Sequence, residues 1–292
     1  MEYEGQICRS PMERGSFMLP VMVGCSYNRC FFCNLFRHLN YRVLPLEQIE
    51  AELKRVKEAG GNPSRVFLGD GNAFCLDTSR LLEILNMIHA YFPGCSSVNM
   101  DATVSSILAK SAGELKSLWE HDVRHLYIGI ETGLNDVLLF MRKEHNLEQA
   151  YAAVYKLKEA GVIFDAHIMT GIAGKGRGLE NAEALAEFFD RTQPTHIVNF
   201  SLFLDRTVPL WREIEEGRFS PASELENLKE ERHFLKLFHP SSSPGSQKIL
   251  YDGFHDLISV RIRGSLPDDR EKMLKKLSDE ISRQQEKQTR RT

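Results

Sequence analysis

Val21-Met-Val-Gly-Cys25-Ser-Tyr-Asn-Arg-Cys30-Phe-Phe-Cys33 places three cysteines within nine residues, straight after a short apolar run. Thiolates this close together grip one inorganic centre from a single tight loop. Their number is informative, because a closed structural site usually takes four protein ligands. A centre held by three keeps one position open, and an open position is where chemistry happens. His38 follows Cys33 by five residues and completes a Cys25, Cys30, Cys33, His38 set of the kind zinc prefers. A zinc-dependent structural or binding module is therefore the rival reading.

Working outward, Ser16 to Val23 reads as one buried strand that ends at Gly24, and Pro45 opens a helix reaching Lys57 before Gly60-Gly61. Arg65-Val-Phe-Leu68 is a strand running into Gly69-Asp-Gly-Asn, and residues 78–91 carry helical spacing closed by Pro93-Gly94. The alternation continues with strands at 97–101, 125–130, 162–169 and 196–202, and with helices at 105–120, 134–141, 147–160 and 179–191. Six strand–helix units predict a parallel sheet with helices outside. A full barrel uses eight such units, so the expected fold is α/β, a partial (β/α)6 barrel with a mixed C-terminal extension. The expected divisions are a lead-in over residues 1–15, the barrel over 16–203, and an extension over 204–292 packed on it. Within the extension, 206–217 and 221–238 read as helices, 240–246 as a loop, 258–262 as a strand and 268–285 as an amphipathic helix.

Composition narrows the function. Of 292 residues, 42% are apolar and 26% charged, and the net charge is −3. That balance gives no broad attraction to nucleic acid or anionic membrane, and the basic run from Lys287 to Arg291 reads as a solvated tail. Residues 1–6 have no basic and apolar leader pattern, and no window reaches the ~18 apolar residues of a membrane helix. The cytoplasm, which keeps thiols reduced, is the expected compartment. The cysteines then divide into three clustered ligands and three singletons, Cys8, Cys75 and Cys95.

Gly24-Cys25-x4-Cys30-x-Phe32-Cys33 resembles the cluster motif of the radical S-adenosylmethionine (SAM) superfamily, in the four-residue spacing found in a poorly characterised branch. Val66-Phe-Leu-Gly-Asp-Gly-Asn-Ala is similar to that branch's second-strand motif, Leu126-Tyr-Ile-Gly-Ile-Glu-Thr-Gly to its fourth, and Ile168-Met-Thr-Gly-Ile-Ala-Gly-Lys to its fifth. Met141-Arg-Lys, Thr207-Val-Pro-Leu and Gly264-Ser-Leu-Pro-Asp-Asp-Arg extend the resemblance over most of the chain. It implies an oxygen-sensitive [4Fe–4S] cluster on Cys25, Cys30 and Cys33, whose fourth iron takes the amino and carboxylate groups of SAM. An electron passed through the cluster, from a donor such as flavodoxin or ferredoxin, then cleaves SAM to a 5′-deoxyadenosyl radical that attacks an unidentified small-molecule or peptide substrate. By the same resemblance Phe32 packs near the adenine, Gly69, Asp70 and Gly71 hold the SAM amino group, and Glu131 contacts the ribose or amino group. Gly171 lets backbone approach the adenine, and Asn199 ends the sixth strand among the cofactor contacts.

Further candidates follow from position alone. Ligands in α/β folds collect at the carboxyl ends of strands, where Asp101, His167, Asn199 and Arg206 stand as possible substrate contacts. Cys75 reads as inert packing more readily than as a participant, and Tyr251 to His255 as a segment able to lid the barrel. A Walker phosphate loop at Thr170-Gly-Ile-Ala-Gly-Lys-Gly fails, because Met169 and Gly176 occupy positions that need Gly and Ser or Thr.

Overall fold

A computed structural model describes Glu4 and residues 8–241 and 247–289. Most of the first seven residues, residues 242–246 of the expected loop, and Arg290 and Arg291 of the basic tail lie outside the described residues. The class is α/β, with a mostly parallel sheet of eight strands. The chain divides into two compact units: residues up to Ile128 together with Ala152–Phe164, and Gly129–Tyr151 together with the residues from Asp165 on.

The first unit opens with β1 (Phe17–Pro20), β2 (Met22–Val23) and β3 (Arg42–Val43). It continues through α1 (Leu46–Glu58), β4 (Arg65–Gly69), α2 (Thr78–Tyr91), β5 (Ser97–Ala102), α3 (Val104–Leu108), α4 (Ala112–Glu120) and β6 (Val123–Glu131), whose last three residues belong to the second unit. β1, β4, β5 and β6 are parallel neighbours in that order, with Met18 opposite Phe67, Phe67 opposite Asn99, and Asp101 opposite Tyr127. A strand turns alternate side chains to opposite faces. Val66, Leu68, Val98 and Met100 therefore share one fully buried apolar face, while Phe67, Gly69, Asn99, Asp101 and Tyr127 share the other.

Two elements differ from the sequence expectation. The strand over 16–23 splits because Pro20 has no N–H for the ladder, and the Val21 N–H turns to the Gly69 carbonyl at 2.6 Å. β2 then pairs antiparallel with β3. The helix over 105–120 breaks in two at Ser111, whose hydroxyl caps the Glu114 N–H while the Glu114 carboxylate returns to the Ser111 N–H. This is a capping box, and Ser111-Ala-Gly-Glu114 spells it in the sequence.

Beyond β6 come α5 (Asn135–Phe140), α6 (Leu147–Ala160) and β7 (Ile163–Thr170). The second unit then holds α7 (Gly178–Thr192), β8 (His196–Ser201), α8 (Leu210–Glu215), α9 (Glu224–Leu237), β9 (Ile249–Phe254), β10 (Arg261–Leu266) and α10 (Arg270–Thr289). β7, β8 and β9 are parallel neighbours, and β10 closes antiparallel on β9. Tyr251, 1% exposed, thus belongs to an interior strand and not to a lid. Phe234 of α9 packs among rings of its own unit, stacked on Phe238 at 5.6 Å and edge-on to Phe189 at 5.9 Å. Among the described residues no helix is long and apolar enough to cross a membrane.

Candidate active site

The cysteine loop leaves β2 through Gly24, whose positive φ of 81° suits glycine. None of the six cysteines is in a disulfide, and Cys25, Cys30 and Cys33 are half-buried on the one loop. Arg37 clamps it from behind, donating from Nε to the Cys33 carbonyl and from Nη2 to the Cys30 carbonyl, both at 2.8 Å. Asn28 Nδ2 adds a bond to the Phe36 carbonyl at 3.0 Å. Phe32 is half-buried within the loop, whereas His38 is exposed.

The turn after β4 packs directly on this loop. A Cβ placed on Gly71 would stand 2.6 Å from the Gly24 carbonyl oxygen and 2.9 Å from the Cys25 Cα, so only glycine fits. The next residue ties three segments together. Asn72 Nδ2 donates to Ser26 Oγ and to Thr103 Oγ1, each at 3.2 Å, and its Oδ1 accepts the Thr103 N–H at 3.2 Å. Asn72 stood in the quoted motif, but its role depends on partners far away in sequence.

Two carboxylates in this unit are buried without complete pairing. Asp70 is 5% exposed, and its Oδ1 has no hydrogen-bond partner; burial raises its pKa to about 6. Asp101 likewise has a buried Oδ1 without a partner, and burial, then Glu13 and Asp70, push it up to about 8. Leaving a buried polar group unmade costs about 1–3 kcal/mol, so such atoms mark a place for a donor. The same unit holds a cavity of about 420 Å³, lined by Ser26, Tyr27, Asn72, Cys75, Thr103 and Lys110 among others. The Lys110 Nζ donates to the Leu76 carbonyl at 2.8 Å and lies over the Phe74 ring, with burial lowering its pKa. Cys75 Sγ is 3.7 Å from the Tyr41 hydroxyl.

The second unit holds the remaining candidates in a different state. Glu131 (φ 65°) is buried and paired with Lys143 Nζ at 3.2 Å. Gly171, φ 81°, donates its N–H to Glu230 Oε2 at 2.9 Å, and a Cβ there would meet Asn227 Oδ1 at 2.6 Å. Asn199 is fully engaged: its Oδ1 accepts the Thr170 N–H at 3.2 Å and its Nδ2 donates to the Tyr251 hydroxyl at 3.0 Å. His167 meets the Phe200 ring edge-on at 5.8 Å, and burial lowers its pKa to about 4, which keeps the imidazole neutral. Arg206 is exposed and lies over the Trp211 ring.

The family model for the radical SAM superfamily matches residues 19–189. The chain belongs to the radical SAM superfamily. It is a radical SAM enzyme, and the cofactors of that class are a [4Fe–4S] cluster and SAM. Among curated relatives, the heme chaperone HemW of Buchnera aphidicola subsp. Schizaphis graminum (strain Sg) is 21% identical over 193 residues, 63% of this chain and 50% of that one. Among solved structures, coproporphyrinogen III oxidase (HemN) from Escherichia coli superposes with a TM-score of 0.60 at 16% identity, covering 76% of this chain and 52% of that one. Methylornithine synthase (PylB) gives 0.54 at 19% identity, covering 76% and 63%. The chain spans about half the length of the curated relative it matches, and the structural likeness extends to the fold.

The donor set suits a radical SAM cluster. Soft thiolates are its usual ligands, and here three cysteines outside any disulfide share one clamped loop.

Proposed function

We propose that Cys25, Cys30 and Cys33 ligate the cluster, and that the enzyme reductively cleaves SAM to a 5′-deoxyadenosyl radical which abstracts hydrogen from its substrate. The observation that carries this reading is the meeting, on one unit, of the three-thiol loop with the unsatisfied carboxylate of Asp70. A sulfonium ion that also carries an ammonium group is the kind of ligand a buried, unpaired acceptor favours. In this reading Asp70, with the backbone of Gly69 and Gly71, receives the SAM amino group, and Glu131 orients the ribose or the amino group. Phe32 lends an apolar surface to the adenine. Gly171 and Asn199 take a supporting part, holding strand-end backbone through Glu230, Thr170 and Tyr251.

The adjoining cavity of about 420 Å³ is within the range of small-molecule sites and offers room for a polar ligand. We assign catalysis to residues 16–203 and substrate choice to 204–292, with a flavodoxin or ferredoxin as electron donor in a reducing cytoplasm. The test is anaerobic: reduced, cluster-loaded protein with SAM should release 5′-deoxyadenosine, and Cys30→Ala should abolish it. Equal production by a Cys25/Cys30/Cys33→Ala triple variant would overturn the assignment.

The HemW match favours a second reading in which the chain binds heme. A heme titration followed in the Soret band decides it: saturable one-to-one binding supports it, and an unsaturable, nonspecific rise removes it.

A further inference from the structure

Lys110, just past α3, is 6% exposed, and its ammonium is surrounded by neutral partners. Nζ donates to the Leu76 carbonyl at 2.8 Å, stands 3.5 Å from Thr78 Oγ1 and lies 5.0 Å from the centre of the Phe74 ring. Among the described residues no carboxylate forms an ion pair with it. Glu114, which shares Thr78 with it, is spent elsewhere. Its Oε1 accepts the Thr78 hydroxyl at 2.7 Å, and its Oε2 accepts the Ser111 N–H at 2.7 Å and the Ser111 hydroxyl at 2.8 Å. A buried charge is ordinarily matched by an opposite one, and a side chain kept only to meet the Leu76 carbonyl needs no charge at all.

The ammonium borders the cavity of about 420 Å³, whose wall also holds Ser26, Cys75, Asp77, Thr78 and Thr103. That wall is fixed by the fold. Asn72 ties Ser26 to Thr103, the Ser111 capping box sets Glu114, and Lys156 Nζ holds the Leu108 carbonyl at 3.1 Å and the Lys110 carbonyl. The first turn of α2 opens on the same cavity, and its N-cap Asp77 makes no side-chain cap bond. Helix N-termini favour negative charge, so this turn adds to the pull of Lys110. The charge balance limits what can enter. One ammonium shares the wall with two carboxylates, Asp77 and Glu114, so a doubly charged group is repelled where a single negative charge is drawn in. A lysine offers a point charge and not a planar fork, which is sufficient for one carboxylate.

We propose that this cavity is a carboxylate anchor: the substrate enters with one carboxylate on the Lys110 ammonium, and its polar remainder lies along the hydroxyls of Ser26, Thr78 and Thr103. The proposal rests on the reading of this cavity as the substrate site. It assigns the substrate class, a small monocarboxylic acid, and leaves SAM to the Asp70 turn.

Cys75 reports on the cavity, because its half-buried thiol stands in the wall. Iodoacetate is itself a small monocarboxylate and iodoacetamide its neutral twin; with each, the Cys75 sulfur displaces iodide. The two reagents are compared at Cys75 by peptide mass spectrometry on anaerobic, cluster-loaded protein saturated with SAM, against their ratio in unfolded protein. Wild type should favour iodoacetate several-fold over that reference, Lys110→Met should lose the preference, and Lys110→Arg should keep part of it. A wild-type ratio equal to the reference, or a preference that survives Lys110→Met, overturns the proposal. If neither reagent reaches Cys75, the cavity is closed or filled by SAM, and the anchor falls. Should Lys110→Met fail to fold, wild type alone decides: propionate should protect Cys75 from iodoacetamide saturably, while propionamide and inorganic phosphate should not. No protection by propionate, or equal protection by phosphate, overturns the assignment. Release of 5′-deoxyadenosine from SAM by the same wild-type preparation separates the two levels: its absence counts against the radical reading, whereas the labelling ratios count for or against the anchor.

Discussion

The polar residues at the strand ends are treated in opposite ways by the two units. In the first, Asp70 and Asp101 each bury an oxygen with no hydrogen-bond partner among the described residues, and the turn carrying Asp70 packs on the cysteine loop. In the second, most strand-end polar groups are paired, the exception beside Gly171 being Asn227 Oδ1. Asn199 donates to the Tyr251 hydroxyl, Tyr251 donates to Glu231 at 2.8 Å, and His255 bridges Glu231 at 2.7 Å and Glu224 at 2.5 Å. A parallel chain runs from Thr132 through Asn181 at 2.5 Å to Glu230 at 2.7 Å, and Glu230 accepts the Gly171 N–H. A buried polar group must be paired by the fold or by a ligand. The contrast therefore separates residues that hold the protein together from residues that wait for a cofactor, although sequence patterns place both at strand ends.

The largest expected effect tests the saturated side. Glu231 is fully buried and shared between Tyr251 and His255. Replacing it by Ala strands the imidazolium and the phenol, and breaking a buried pair in this way costs about 3–5 kcal/mol. Glu231→Ala should fall in denaturant midpoint by that amount, and a variant as stable as wild type would show the network to be idle.

The same network should titrate, with a smaller effect because no atom is removed. Burial opposes charge on His255, but hydrogen bonds to Glu224 and Glu231 outweigh it and raise its pKa to about 9. A folded value above the ordinary 6.5 means the contribution is complete below that value and is lost as pH rises through about 9. Thermal midpoints should therefore decline from pH 7 to pH 10, and His255→Gln should flatten that decline. An unchanged slope in the variant would assign the pH dependence elsewhere.

Much of the architecture was legible before any coordinates. The alternating units, the Gly and Pro that end them, and the three-cysteine loop are local signals, set by backbone sterics and periodicity. Ser111-Ala-Gly-Glu114 was a local signal passed over: the region was read as one helix, and the capping box divides it. What escaped was pairing over long sequence distance. Glu13 finds Asn99 and Tyr127, and Gly171 finds Glu230, and nothing near these residues in sequence announces it. Gly171, expected by resemblance to let backbone approach the adenine, and Asn199, expected at a strand end, also make hydrogen bonds to α9 and β9 that no local pattern announces. Arg206, a candidate by position alone, lies over Trp211.

The smallest expected effect has the opposite sign and comes from the unsatisfied side. Asp70→Asn keeps the shape of the side chain while removing a desolvated charge that no hydrogen-bond donor meets at Oδ1. Relief of an unmet buried acceptor should raise the stability of SAM-free protein at neutral pH by roughly 1 kcal/mol. The neutral amide is a poorer acceptor for an ammonium group, so SAM should bind at least about tenfold more weakly, a difference of about 1.4 kcal/mol. Stability gained together with affinity lost is the pattern of a group kept for function at the expense of the fold. Melting curves and equilibrium dialysis with SAM measure the two quantities separately. A destabilised Asp70→Asn would place Asp70 with Glu231 as a structural residue. Unchanged SAM affinity would remove it from the cofactor site and leave Asp101 as the carboxylate to test next.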